Sequence, residues 1–310
     1  MKRLQKTATL SLMRSLVALV VAPLLAAPLG CDDGAPTDTP EAGDNASITV
    51  TEVMGPFAYP ESAVFDAEDN VWWVGSLGQE FGGEEQRAFI TELNADGSVA
   101  TERFIEVDGD ILGVAADTDN IYAARGSDLL IIKKSDASLT TIPIDGAMLL
   151  NDVTLADSTV YVSDTFGNRV YSYTEGSDPV LVSEDQALML PNGVIVDDGT
   201  VLVGTVGEFP PNPENPGHLY TLDRSGVATQ VGDYAGFVDG IEKFGDDYLI
   251  SDASGKLVKV SPEGRAEVLI DLAAAPYNFD GINDLGFRAE TKTIFIPVLN
   301  ESKLYKVQLP

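Results

Sequence analysis

From Ser47 to the C-terminus the chain repeats one short pattern six times, and this repeat restricts the fold more than any other feature. Each unit opens on a short polar or glycine-containing step. The steps are Glu61-Ser62-Ala63-Val64, Leu112-Gly113-Val114, Asn151-Asp152-Val153, Asn192-Gly193-Val194, Asp239-Gly240-Ile241 and Asp280-Gly281-Ile282. Counted through Glu61, Gly113, Asp152, Gly193, Gly240 and Gly281, the intervals are 52, 39, 41, 47 and 41 residues. Between the steps lie runs such as Val71-Trp72-Trp73-Val74, Val160-Tyr161-Val162 and Ile294-Phe295-Ile296, bounded by Gly, Asp, Asn and Pro. Runs of β-formers bounded in this way read as short strands. A period of this size, holding about four short strands, is that of a β-propeller rather than a sandwich. With no long amphipathic helical pattern after the first 30 residues, the fold expected is all-β: a six-bladed β-propeller over residues 47–310.

The two ends of this region fit together. From Gly281 only 30 residues remain, room for three strands, whereas Ser47–Val53 is a strand left over ahead of the first unit. It is expected to supply the outermost strand of the last blade and so to close the ring without a free edge. The two long intervals have local causes: a polar, Gly-rich insertion at Gly78–Arg87 and a Pro-rich one at Gly207–Pro216. Both follow a second strand, so both should lie on one face, where loops commonly shape a mouth.

Ahead of the repeats, residues 1–30 read as an export signal. A basic start precedes an apolar run from Leu16 to Leu29 that is too short, and too interrupted by Pro23 and Pro28, to span a bilayer. The run ends in Leu29-Gly30-Cys31, which resembles a bacterial lipobox, with Pro28 standing where such signals usually carry leucine. Cys31 is therefore the expected lipidation site, and the protein an exported bacterial lipoprotein held at the membrane by that anchor, in the periplasm or at the cell surface. As the only cysteine, it also rules out a disulfide framework or a Cys-based metal site. Residues 31–46 carry no large apolar side chain and read as a flexible acidic tether. The net charge of -30 becomes -34 once the four bases of residues 1–30 are removed. Such a chain repels nucleic acid, keeps itself soluble and attracts divalent cations. A monomer is expected.

In a propeller the innermost strands line the central channel, so a residue at the same place in each can point at the axis. Four of the opening steps carry oxygen side chains suited to a hard cation: Glu61, Asn151, Asn192 and Asp239. Two carboxylates and two amides would hold one divalent ion and leave positions for water or substrate. Calcium accepts such a mixed oxygen shell, whereas zinc would want His or Cys. The only histidine, His218, lies beyond the Pro-rich insertion and reads as a surface residue. Asn-Gly and Asp-Gly are also ordinary turn formers, which is the plain alternative for each step taken singly.

The segments Tyr59-Pro60-Glu61-Ser62-Ala63-Val64-Phe65-Asp66, Leu150-Asn151-Asp152-Val153, Leu190-Pro191-Asn192-Gly193-Val194 and Val238-Asp239-Gly240-Ile241 resemble the anchor segments of the senescence marker protein/gluconolactonase family. These are six-bladed calcium propellers that include regucalcin-type gluconolactonases and diisopropyl fluorophosphatase. The resemblance covers most of residues 55–305. It implies that Glu61, Asn151, Asn192 and Asp239 bind a central calcium ion, and that Asp239 is the catalytic residue, as base or nucleophile, in hydrolysis of a lactone or related ester. The chain departs from the pattern in offering no histidine for a second catalytic role, only Gly113 and the nearby Asp110 in the second blade, and only Arg87 as a base near the mouth. Asp280 is a further channel candidate, and Glu242, just beyond Asp239, a candidate ligand of a second ion. A second reading stays open: a non-catalytic repeat propeller that binds a protein or glycan, suggested by Asp164-Thr165-Phe166-Gly167-Asn168-Arg169-Val170.

Overall fold

The computed structural model describes residues 47–79, 87–210 and 212–310; Cys31, the export signal and the tether lie outside them. The described chain forms six four-stranded antiparallel sheets, and its one helical element is the single 3-10 turn Leu299–Glu301. Five sheets are built from four consecutive strands. The sixth takes three strands from the C-terminal end, and its fourth, outermost strand is Thr49–Val53, paired antiparallel with Lys303–Gln308 from Thr49↔Gln308 to Val53↔Leu304. The ring is thus closed by the N-terminal strand, as the leftover strand predicts.

Each sheet is a blade, numbered 1 to 6 from Pro60. The innermost strands are Pro60–Asp66, Val114–Ala116, Leu150–Ala156, Pro191–Asp197, Val238–Phe244 and Gly286–Arg288. Each touches the innermost strand of the next blade, and the sixth returns to the first. Both faces of a blade are covered by its neighbours, which is why the second strands are continuously apolar rather than alternating. The adjacent tryptophans show it. Trp72 is fully buried on the blade 6 side, stacked 4.2 Å from Phe295, while Trp73 faces blade 2 and meets Phe104 at 5.0 Å. Six apolar cores accordingly fill the six gaps between blades.

Both insertions leave on the face where the innermost strands begin. Leu77 and Gly78 donate backbone hydrogen bonds to Tyr59 and Ala58, and Val206 and Gly207 donate the equivalent bonds to Leu190 and Met189. On this face Leu77, Leu112, Leu149 and Leu299 form a seventh apolar cluster with Tyr59 and Phe166. Phe209 of the Pro-rich insertion meets Phe166 edge to face at 6.4 Å.

Candidate functional site

The opening steps are not turns. In blades 1, 3, 4 and 5 the pairing of the first two strands slips within the step: between Pro60 and Ser62, Leu150 and Val153, Pro191 and Val194, and Val238 and Ile241. Each step is a β-bulge inside the innermost strand, a device that re-aims a side chain out of the ladder. The register places Glu61, Asn151, Asn192 and Asp239 at one position of the repeat, with Ser62, Asp152, Gly193 and Gly240 at the next.

The glycines of these steps answer to crowding between blades. A Cβ on Gly113 would stand 2.5 Å from the Asn151 carbonyl oxygen and 2.6 Å from the Asp152 Cα, where the Gly113 N–H donates to that same carbonyl at 2.7 Å. A Cβ on Gly240 would overlap the Asp284 carboxylate.

Blade 6 differs from the sequence expectation. Asp280 is exposed, and its N–H bonds Glu301 instead. The equivalent step is Asn283-Asp284: Asn283 N–H donates to Pro297, Asp284 N–H donates to the Glu61 carbonyl at 3.1 Å, and Ser62 and Asp284 form a bridge between neighbouring inner strands. Blade 2 presents Leu112 at the first position and Gly113 at the second. The inward set is therefore Glu61, Leu112, Asn151, Asn192, Asp239 and Asn283.

Asn192 and Asp239 are brought into direct contact, with Asn192 Nδ2 donating to Asp239 Oδ1 at 2.6 Å. Asn283 also donates to the Asp239 carboxylate. Asn151 is half-buried; its Nδ2 donates to Thr165 Oγ1 at 3.1 Å, and that hydroxyl donates onward to the Pro191 carbonyl at 2.8 Å. Both amide NH2 groups are thus spent on protein acceptors, which leaves the Oδ1 atoms of Asn151 and Asn192 as the groups free to accept. Glu61, 5% exposed, has an Oε2 atom that is buried with no hydrogen-bond partner among the described residues. An orphaned buried carboxylate oxygen is costly.

The charges that act on Glu61 are all of one sign. Burial raises Glu61 well above the usual carboxylate range, and the charges of Asp239, Asp152 and Asp110 raise it further. Burial lifts Asp239 to about 7, against the hydrogen bonds from Asn192 and Asn283. Asp110 is also raised, by burial, with Arg125 pulling the other way. Arg87, the base the sequence offered, is exposed and pairs with Asp108 at 3.7 Å, so it does not reach the ring.

Further along the channel, residues of all six blades line a cavity of about 190 Å³ whose acidic groups are Asp152, Glu242 and Asp284. Asp152 is a strut: Oδ1 accepts from Val153 N–H and Oδ2 from Val194 N–H of the next blade, each at 2.7 Å, and burial holds the group at about 7. Asp284 accepts from Ser62 Oγ at 2.9 Å, and the same Ser62 oxygen accepts from Val114 N–H at 3.0 Å, which laces blades 6, 1 and 2. Burial, then Asp152, Glu61 and Asp239, raise Asp284 well above its usual value. Glu242, half-buried on the wall, is pushed up to about 8 by burial and Asp152. The motif from Asp164 to Val170 is accounted for locally, because the buried Asp164 carboxylate accepts backbone N–H groups of Met148, Leu149 and Gly167.

Ser62, Asn283 and Asp284 are the channel residues the sequence reading passed over. Asn283-Asp284 carries no glycine, whereas the nearby Asp280-Gly281 looks like the other steps. Among the described residues no three His, Cys, Asp or Glu side chains stand together as a metal site. The four first-position side chains are a different donor set, two carboxylates with two amides.

No family model matches the sequence, and neither does any curated protein sequence. Among solved structures the chain is similar to a streptogramin B lyase, at 10% identity over 85% of this chain and 98% of that one, with a TM-score of 0.57. It is similar to virginiamycin B lyase from Staphylococcus aureus at 11% identity, 85% and 99% coverage and a TM-score of 0.60. It is also similar to a chain of a nidogen/laminin complex, at 16% identity, 73% and 92% coverage and a TM-score of 0.54. The chain shares its six-bladed β-propeller fold with these proteins.

Proposed function

We propose that Glu61, Asn151, Asn192 and Asp239 hold one calcium ion at the mouth of the channel, and that the protein hydrolyses a lactone or related ester there. The observation that carries this reading is the orphaned Oε2 of Glu61, buried among acids with no base beside it among the described residues. Burying carboxylates together without a counter-charge is unfavourable, and a hard divalent cation is the partner that an all-oxygen donor set accepts. The residues fit such an ion: the NH2 of Asn151 is engaged by Thr165 and that of Asn192 by Asp239, so both amide oxygens are available alongside the carboxylates. When bound, calcium would supply Lewis acidity toward a carbonyl oxygen.

The chain's own residues supply the rest. Asp239 is oriented by the amides of Asn192 and Asn283, a fixed carboxylate suited to accept a proton from water or to attack directly. The Leu77, Leu112, Leu149 and Leu299 cluster, with Tyr59 and Phe166, gives the mouth an apolar collar. With no basic side chain at the ring among the described residues, the substrate is expected to be uncharged. The likeness to the gluconolactonase family in the four anchor segments supports the same reading.

A panel of neutral lactones and aryl esters, assayed with Asp239→Asn in parallel, tests the proposal. Turnover by the wild type that the variant loses supports it; equal turnover by both removes Asp239 from the chemistry. A folded protein that binds no calcium and turns over no member of the panel would instead favour the non-catalytic, partner-binding propeller.

A further inference from the structure

A second cavity lies on the same face as the ring, one strand further out in blade 4. It has a volume of about 250 Å³ and is lined by Ala187, Met189, Thr205, Glu214, Pro216 and His218, with Tyr220 beside them. The Pro-rich insertion builds it. Gly207 pairs with Pro216 and Gly217 with Gly236 in isolated bridges, and the Glu208 carboxylate accepts from the side-chain amides of Asn212 at 2.8 Å and Asn215 at 2.6 Å. The insertion is therefore tied to itself and to blade 4.

His218 is held rigidly in this wall. Its backbone N–H donates to Thr205 Oγ1 at 2.9 Å, and its carbonyl accepts the Thr205 N–H at 3.0 Å. Its Nδ1 stands 2.8 Å from the Tyr234 carbonyl oxygen. A carbonyl can only accept, so Nδ1 carries a hydrogen, and in the neutral ring Nε2 is left as an acceptor, with no donor among the described residues on it. Tyr220 meets the imidazole edge-on at 6.4 Å.

The chemistry of the walls defines what fits. The polar side chains the walls offer are the Glu214 carboxylate and His218 Nε2, which accept, and the Tyr220 hydroxyl, which can accept or donate, while an N–H of the Asn215 amide is held by Glu208. Among the described residues no Lys or Arg lines the cavity. Met189 is 46% exposed, and with Ala187, Pro216 and Tyr220 it gives a polarisable, apolar surface of the kind that takes an aromatic ring. We propose that this cavity binds a small, uncharged, phenol-type molecule, a planar ring whose O–H or N–H donates to His218 Nε2. None of the proposed calcium ligands lines it, so the inference stands apart from the proposed hydrolysis.

The chain has one histidine, so the ring nitrogens of the 15N-labelled protein report on this cavity alone. Titration is with phenol, with anisole as the same ring without a donor, and with benzoate as an anion. Phenol should shift the Nε2 resonance saturably while Nδ1 stays protonated. Anisole should bind about fivefold more weakly, the worth of one ordinary hydrogen bond, and benzoate should not saturate. Met189→Ala, on the exposed wall, retains the reporter and should weaken phenol severalfold. His218→Phe, followed through the phenol signals instead, should abolish the preference for phenol over anisole. A proton found on Nε2, equal shifts from phenol and anisole, or phenol binding untouched by Met189→Ala would each overturn the proposal.

Discussion

Glu242 gives a prediction whose size follows from the structure. It is half-buried on the wall of an acidic channel, and its carboxyl is pushed from 4.5 up to about 8, first by burial and then by Asp152. A carboxyl raised in the fold keeps its proton to higher pH than in the unfolded chain. The folded state is therefore not penalised below about pH 4.5, and it loses stability as pH climbs from there through about 8. Each unit of difference is worth about 1.4 kcal/mol, so Glu242 should cost the metal-free protein under about 1 kcal/mol at pH 5, about 3 at pH 7 and up to about 5 by pH 9. Glu242→Gln removes the charge and keeps a side-chain oxygen for the backbone N–H groups of Phe287 and Lys243. Urea unfolding of both proteins with a chelator present, repeated across this range, reads the effect. The variant should match the wild type at acid pH and gain on it steadily toward alkaline pH. A stability difference that stays flat with pH, or that favours the wild type at pH 9, would mean that the Glu242 carboxyl is not raised by the fold.

Other expectations follow from the lacing of the inner strands. Ser62→Ala strips the acceptor from the Val114 N–H and the donor from Asp284, so chemical denaturation should show a loss of about 2–5 kcal/mol, one buried unmet group at each end; a loss below about 1 would mean the lacing carries little. Gly113→Ala forces a methyl against the backbone of Asn151 and Asp152, which cannot yield as a side chain can, and should cost about 1–3 kcal/mol or more by the same assay; an unchanged midpoint would contradict the close approach of blades 2 and 3. Deletion of residues 47–53 unpairs Lys303–Gln308 and exposes a strand edge, so the shortened chain should lose thermal stability and aggregate on heating, visible as light scattering; a chain that melts like the intact one would show that closure is dispensable.

How much of this was legible in the sequence depends on what each residue has to satisfy. The blade count was visible because every blade repeats the same demand: apolar on both faces of the second strand, as in Trp72-Trp73, and a tight step in the first. The closing strand could be inferred from the three-strand remainder after Gly281. The steps themselves were visible for a reason different from the obvious one. Asn192-Gly193 and Asp239-Gly240 look like turns, yet the glycines are there because the neighbouring blade leaves no room for a Cβ. Where the second position carries a side chain, as with Ser62 and Asp284, that cue vanishes. Asn283-Asp284 was therefore missed, and Asp280-Gly281, three residues earlier with Asp280 exposed, stood in for it. The tie between Asp152 and Val194 is a contact between blades 42 residues apart, and no local pattern announces it. His218 read as a surface residue because its partner, the Tyr234 carbonyl, belongs to a loop 16 residues away.

Calorimetric titration of calcium into the chelator-treated full chain tests the account most directly, with Glu61→Gln and Asp239→Asn alongside. The ring predicts one ion per chain for the wild type, and an affinity lower by roughly a hundredfold or more in each variant, as expected for losing a charged ligand from a small oxygen cage. No saturable binding by the wild type, or equal binding by all three proteins, would contradict it.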